Sequence, residues 1–187
     1  SVVAGRIVDT FWTCGYAGTS LDQLAAATGL NRPSLYAAFG DKKSMYRGAL
    51  KAFATQVRQE VGAALAAPRL AAALRHFYRG AIAVYLSGEA GPRGCLFVCT
   101  AAVEAVTDAD IREDIGRVLQ GIDAALEARI RQARQDGEIG QHQRPGDLAR
   151  IASAVLHSLA VRARTGTPQR QLERLADATI RLIVAAT

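Results

Sequence analysis

The chain has 187 residues and a net charge of +6; half of its residues are apolar and 21% are charged, a balance that suits one or two compact domains with a sizeable buried core. No stretch approaches the ~18 uninterrupted apolar residues of a helical membrane span, and no basic-then-apolar secretory leader opens the sequence, so neither a membrane protein nor a secreted one is expected. The positive charge suits an anionic partner such as nucleic acid, while three cysteines, Cys14, Cys95 and Cys99, cannot all pair within one chain and favour a reducing compartment.

Strand signals are nearly absent, because Ala, Leu, Arg, Gln and Glu dominate and β-branched residues never alternate with polar ones for long. The chain reads as all-α, with glycine and proline punctuation leaving room for about nine helices. The first is expected over residues 2–14, with Ala4, Ile7, Val8 and Phe11 on one side and Gly15 ending it. Ser20 then heads Ser20-x-x-Gln23, a capping-box pattern that satisfies free N–H groups at a helix start. The second helix, residues 21–28, buries Leu21, Leu24 and Ala25 and stops at Gly29. Asn31 is a good N-cap for a third helix, whose first turn tolerates Pro33 because the missing N–H has no intrahelical partner there. Gly40 ends that helix, and Asp41 caps a fourth over residues 43–65. Two short helices joined by a tight Gly-containing turn and propped by another describe a helix-turn-helix unit. Leu30, Leu35 and Phe39 pin its last helix to the small core, which leaves Asn31, Arg32, Ser34 and Tyr36 facing outward.

The run GYAGTSLDQLAAATGLNRPSLYAAFGDKKSMYRGAL, residues 15–50, resembles the DNA-binding domain of TetR-type (TetR/AcrR-like) transcriptional repressors. The G-Y-x-G-T-S entry, the A-x-x-x-G-L turn and the L-Y-x-x-F-x-x-K exit carry the resemblance. It implies a helix-turn-helix DNA-binding domain at residues 1–46 and a helical ligand-binding and dimerisation domain at 47–187. It further implies a cytoplasmic homodimer that represses from a palindromic double-stranded DNA operator and is released by a small-molecule effector. Under this resemblance Tyr36 contacts the DNA backbone through its hydroxyl, and Lys42 is the phosphate-clamping lysine. The residues themselves add candidates. Thr19 and Ser20 start the second helix, where free N–H groups attract phosphates, although capping alone would also explain them. Arg32 suits a guanine edge or a phosphate. Asn31 could do either or be consumed by capping, and Pro33 and Ser34 complete the candidate DNA-contact set.

Further along, Leu70, Leu74, Phe77, Ala81 and Tyr85 form an amphipathic stripe. Residues 95–106 are apolar nearly all round, with Glu104 the only charge, as in a central buried helix. Residues 111–135 hold Ile115, Leu119, Ile122, Leu126 and Ile130 in register. The next helix, residues 148–165, lines up Ile151, Val155 and Leu159. The last, opened by Thr167 and Pro168, lines up Leu172, Leu175 and Leu182. These two wide apolar faces suit pairing with their copies in a four-helix dimer interface, or else are used inside one chain.

An effector cavity is expected among Phe77, Tyr78, Ile82, Tyr85, Cys99, Val103, Ile122, Leu126 and His157, a mostly apolar and aromatic set with a few polar tips. Such a lining implies an uncharged or weakly acidic lipophilic effector, though the same residues could form a closed core. Cys95 and Cys99, four apart, share one helix face and suit core packing, a thiol sensor or a metal pair. His76, His142 and His157 show no ligand spacing to them, so no metal and no cofactor is expected. There is no GxSxG, HExxH or glycine-rich phosphate loop to suggest an enzyme. The alternative is a DNA-binding regulator without a small-molecule effector, controlled through the Cys95 thiol or by a protein partner.

Overall fold

A computed structural model describes residues 2–185, and every regular element among them is a helix. The first four are α1 (Val2–Gly18), α2 (Leu21–Thr28), α3 (Arg32–Phe39) and α4 (Lys42–Leu65). Local chemistry sets their ends. Ser20 and Gln23 form a reciprocal capping box, with the Gln23 backbone N–H donating to Ser20 Oγ at 3.1 Å and the Ser20 N–H donating to Gln23 Oε1 at 2.7 Å. Gly29 closes α2 in the left-handed region at φ 72°, where a side chain would cost strain. Asn31 accepts from the Ser34 N–H at 2.9 Å to start α3, and Asp41 accepts from the Ser44 N–H at 2.7 Å to start α4. The end of α1 differs from expectation. Gly15, at φ 73° and ψ 176°, kinks the helix, and a further turn runs on to Gly18.

The remaining elements are α5 (Leu70–Leu86), α6, α7 (Ala109–Gln135), α8 (Pro145–Arg164) and α9 (Gln169–Val184). Helix α6 is short: a π turn, Phe97–Ala101, runs into one α turn, Ala102–Glu104. Its composition predicts burial all round, but Val103 is 73% exposed while Leu96, Phe97, Thr100 and Ala101 are buried. The extra residue of a π turn rotates the next turn of helix by about 100° from α-helical phase, which carries its apolar residues away from the core.

Two apolar clusters form. One gathers Ile7, Phe11 and Trp12 of α1, Leu24, Leu35, and Met45, Tyr46, Ala49, Leu50 and Phe53 of α4, and it extends to Phe97 and Ile111. The other is built from α5, α7, α8 and α9. Helix α4 belongs to both, since Val57, Val61 and Leu65 of its C-terminal half join the second cluster. Polar contacts also tie the first four helices to the later ones. Trp12 donates its indole N–H to the Gly94 carbonyl at 3.1 Å, beneath the Arg93 guanidinium, which lies 4.0 Å from the ring centroid. Arg47 of α4 pairs with Asp114 of α7 at 3.0 Å, and Lys43 with Asp108 at 2.7 Å. Among the described residues no helix is long and apolar enough to cross a membrane.

Candidate functional site

Helix α3 buries Leu35 completely and leaves Asn31, Arg32, Pro33, Ser34 and Tyr36 exposed, Tyr36 at 46%. These residues lie on one surface because Leu35 must face the cluster behind them. Arg32 is forked onto Asp22 of α2, with Nε and Nη2 donating to Oδ1 at 2.9 and 2.6 Å. That hydrogen bond and the Asp22 charge raise the Arg32 pKa. The pair is open to water, so it is weakly held. Asn31 spends its side-chain oxygen on the α3 cap but keeps its amide NH2. Lys42 sits at the start of α4, its Nζ 4.5 Å from the centroid of the Tyr16 ring, a cation–π contact that limits where the ammonium can go. Ser20 is exposed, and its hydroxyl proton remains available while its oxygen accepts the cap.

Thr19 corrects an expectation. It is 1% exposed, and its hydroxyl donates to the Gly15 carbonyl at 2.6 Å. The residue closes the α1 kink from inside and presents no group to a phosphate.

A cavity of about 60 Å³ lies between α4, α5, α7, α8 and the start of α6. Of the nine walls expected, Phe77, Tyr85, Ile122 and His157 line it, and the helix that sequence reasoning left out, α4, contributes Phe53, Val57, Val61 and Ala64. The other five lie elsewhere. Tyr78 points into the core and donates to the Ala152 carbonyl at 2.9 Å. Ile82 and Leu126 are buried in the second cluster, Cys99 packs under Gly94, and Val103 faces solvent. Adjoining the cavity, a groove of about 790 Å³ runs between α4 and α7, sharing Val57, Val61, Phe97, Val118 and Ile122 and bordered by Lys51, Arg58 and Arg117.

Burial shifts several titratable groups at and beside the cavity towards their uncharged forms. Burial pushes the His157 pKa down against the opposing pull of Asp123, and burial raises Tyr85 well above the usual phenol value. Burial also pushes the Cys95 thiol up to about 11, outweighing hydrogen bonds from the Val98 and Phe97 N–H groups. Cys99 is raised by burial too. Among the described residues no group of three or more His, Cys, Asp or Glu side chains is placed to hold a metal.

Residues 7–49 match the family of bacterial regulatory proteins of the TetR type, and residues 66–179, more than half of the chain, match the tetracyclin repressor-like C-terminal domain. The chain belongs to the TetR family. It is a DNA-binding transcriptional regulator with an N-terminal helix-turn-helix. It is similar to the HTH-type transcriptional repressor ComR of Escherichia coli, at 27% identity over 95% of this chain and 85% of ComR. A cysteine mutant of the TetR family regulator CifR, solved in complex with a 26-base-pair operator DNA, superposes with a TM-score of 0.80 at 28% identity, covering 96% of this chain and 94% of CifR. A TetR regulator from Chloroflexus aurantiacus shares the fold, with a TM-score of 0.85 at 23% identity over 97% and 91% of the two chains.

In this TetR-family chain the last two helices bury some of their apolar residues and expose others. Leu159 and Leu172, expected on a pairing face, are fully buried in the chain's own core. Ile151 and Leu182 are 53% and 76% exposed, Val155 and Leu175 are half-buried, and Val161 extends the exposed row. Sequence reasoning also missed the Arg47–Asp114 pair and the Arg93–Trp12 stack. The acidic run Asp108, Asp110, Asp114 at the start of α7 was the available signal for the first. The second joins residues about eighty apart in sequence and left none.

Proposed function

We propose that the chain is a repressor that grips a palindromic operator as a homodimer and lets go when a small lipophilic effector enters the cavity. The observation that carries this reading is the double membership of α4. Its first half (Met45, Tyr46, Ala49) holds the helix-turn-helix core, and its second half (Val57, Val61, Ala64) walls the cavity. A ring-bearing ligand, which a dry cavity of about 150 Å³ accommodates, exceeds this cavity of about 60 Å³ and must displace those walls and, with them, the strut that sets the reading head. The two heads of a dimer have to match half-sites about one DNA turn (~34 Å) apart, so a small rotation of α4 suffices to spoil the fit. The ligand acts only through its differing affinity for the two states.

The DNA contacts we assign are Ser20, Asn31, Arg32, Pro33, Ser34, Tyr36 and Lys42, with a domain boundary inside α4 near residues 46 and 47. Dimer pairing is assigned to Ile151, Val155, Val161, Leu175 and Leu182. The repressor ComR and operator-bound CifR support the reading by similarity. Control through the Cys95 thiol is the weaker alternative, because burial keeps that sulfur protonated and the thiolate is the reactive form.

Selection from random duplexes should yield a palindrome. On that palindrome, Lys42→Ala should weaken binding to all sequences and shrink the salt slope by about one unit. Arg32→Ala should relax preference at one base position in each half-site. Enrichment of no duplex at moderate salt would overturn the reading.

A further inference from the structure

Two of the residues that line the cavity, His157 and Tyr85, end in a polar group. His157 Nε2 is buried without a hydrogen bond, and Tyr85 is 5% exposed, with its ring and hydroxyl carried on the cavity wall. Buried polar groups are paired in the great majority of cases, and leaving them bare is costly. Around these two groups the walls are apolar. We propose that the cavity takes a neutral molecule with an apolar body and one hydrogen-bonding oxygen, a phenol, an alcohol or a ketone, seated with that oxygen on His157 and Tyr85. This inference rests on the effector reading above and narrows it to a chemical class.

Charge placement excludes an anion from the inner site. No Lys or Arg lines the cavity, and its one charged side chain, Glu60, is acidic and accepts from the Gln56 amide at 2.8 Å. Asp123, whose Oδ1 is also buried and unpaired, adds negative charge on the His157 side. A carboxylate there would be desolvated with no counter-ion. The cations Lys51 and Arg58 border the outer groove instead, so a carboxylate drawn to them would leave His157 unsatisfied. Size adds a second condition. A dry cavity of about 150 Å³ accommodates benzene, so a ring-bearing ligand enters this 60 Å³ space only by spreading its walls.

Three matched probes test this: 4-ethylphenol, 4-ethyltoluene and 4-ethylbenzoate, titrated calorimetrically into the full chain. The phenol should bind about tenfold or more tightly than the toluene, and the benzoate should not bind. His157→Phe and Tyr85→Phe should each narrow the phenol–toluene gap to about twofold or threefold, and His157→Gln, which keeps a polar tip, should restore part of it. Val61→Trp, which fills the cavity, should abolish binding of both neutral probes. Equal binding of phenol and toluene, tighter binding of benzoate, or no binding by any probe would overturn the proposal. Operator affinity is measured separately with each probe. Phenol binding that depends on His157 and Tyr85 but changes nothing on DNA would sink the effector reading and leave this one standing. Release by the toluene as readily as by the phenol would do the reverse.

Discussion

Asp114 sits nearly buried on α7 and accepts hydrogen bonds from Arg47 of α4 and from Arg117 one turn along its own helix. Burial works to raise its pKa, but the hydrogen bonds and charges of the two arginines outweigh burial and hold the carboxyl below the ordinary value of 3.8. The folded state therefore binds a proton less readily than the unfolded chain. Its contribution to stability is complete above the ordinary carboxylate pKa and is lost as pH falls through that value towards the folded one. Asp114→Asn should cost about 1.5–3 kcal/mol at neutral pH, the range for hydrogen bonds to charged groups. It should also flatten the loss of stability below about pH 4. Urea denaturation from pH 3 to 7 checks both parts, and an unchanged acid limb would show that Asp114 is not the titrating group. Because Arg47 lies on α4 beside the helix-turn-helix core and Asp114 on the groove wall of α7, the same substitution should loosen the link between α4 and α7.

At the scale of the helix, α4 is the element that both apolar clusters share, and the proposed function makes it the link between DNA and ligand. An indole placed at Val61 would occupy the space a ligand needs and press against the facing helices. Val61→Trp should therefore lower operator affinity by about tenfold or more without any ligand, read by fluorescence anisotropy, with helicity retained. Wild-type affinity would mean that cavity filling is not transmitted along α4. This role of α4 was only partly legible in the sequence. Capping residues and glycines announced α2, α3 and the start of α4, because Ser20, Gln23, Gly29, Asn31 and Asp41 act within one turn of where they stand. The cavity was harder to read, because periodicity says which face of a helix is apolar and not what that face meets. Phe77 and Tyr78 illustrate the difference: they are adjacent, roughly 100° apart around α5, and only Phe77 reaches the cavity. The π turn in α6 left no compositional mark at all, and Val103, an expected wall, follows it on the surface. Thr19 failed as a phosphate contact for a related reason. The Gly15 kink turned its hydroxyl inward, and nothing in the spacing of G-Y-x-G-T-S tells a buried hydroxyl from an exposed one.

For the whole molecule the informative feature is apolar surface with nothing on it. Ile151 and Val161 of α8 and Leu182 of α9 are large, exposed and on the two helices that end the chain, whereas their neighbours Leu159 and Leu172 are fully absorbed by the core. Scattered exposed residues need no explanation, but large exposed apolar residues on two helices that pack together are candidates for an interaction surface. Under the proposed function, a second copy is the occupant that a two-half-site operator would require, and a two-fold axis would present the same patch to itself. Glutamates at Ile151 and Leu182 would place four like charges across such an axis, yet in the isolated protomer they would stand in water and cost little. Ile151→Glu combined with Leu182→Glu should thus yield folded monomers by light scattering and circular dichroism. Operator affinity should fall by about a hundredfold or more, since linking two reading heads raises avidity by that order. A wild-type protein that is monomeric at micromolar concentration, or a double variant that still dimerises and binds normally, would place the partner surface elsewhere on the chain.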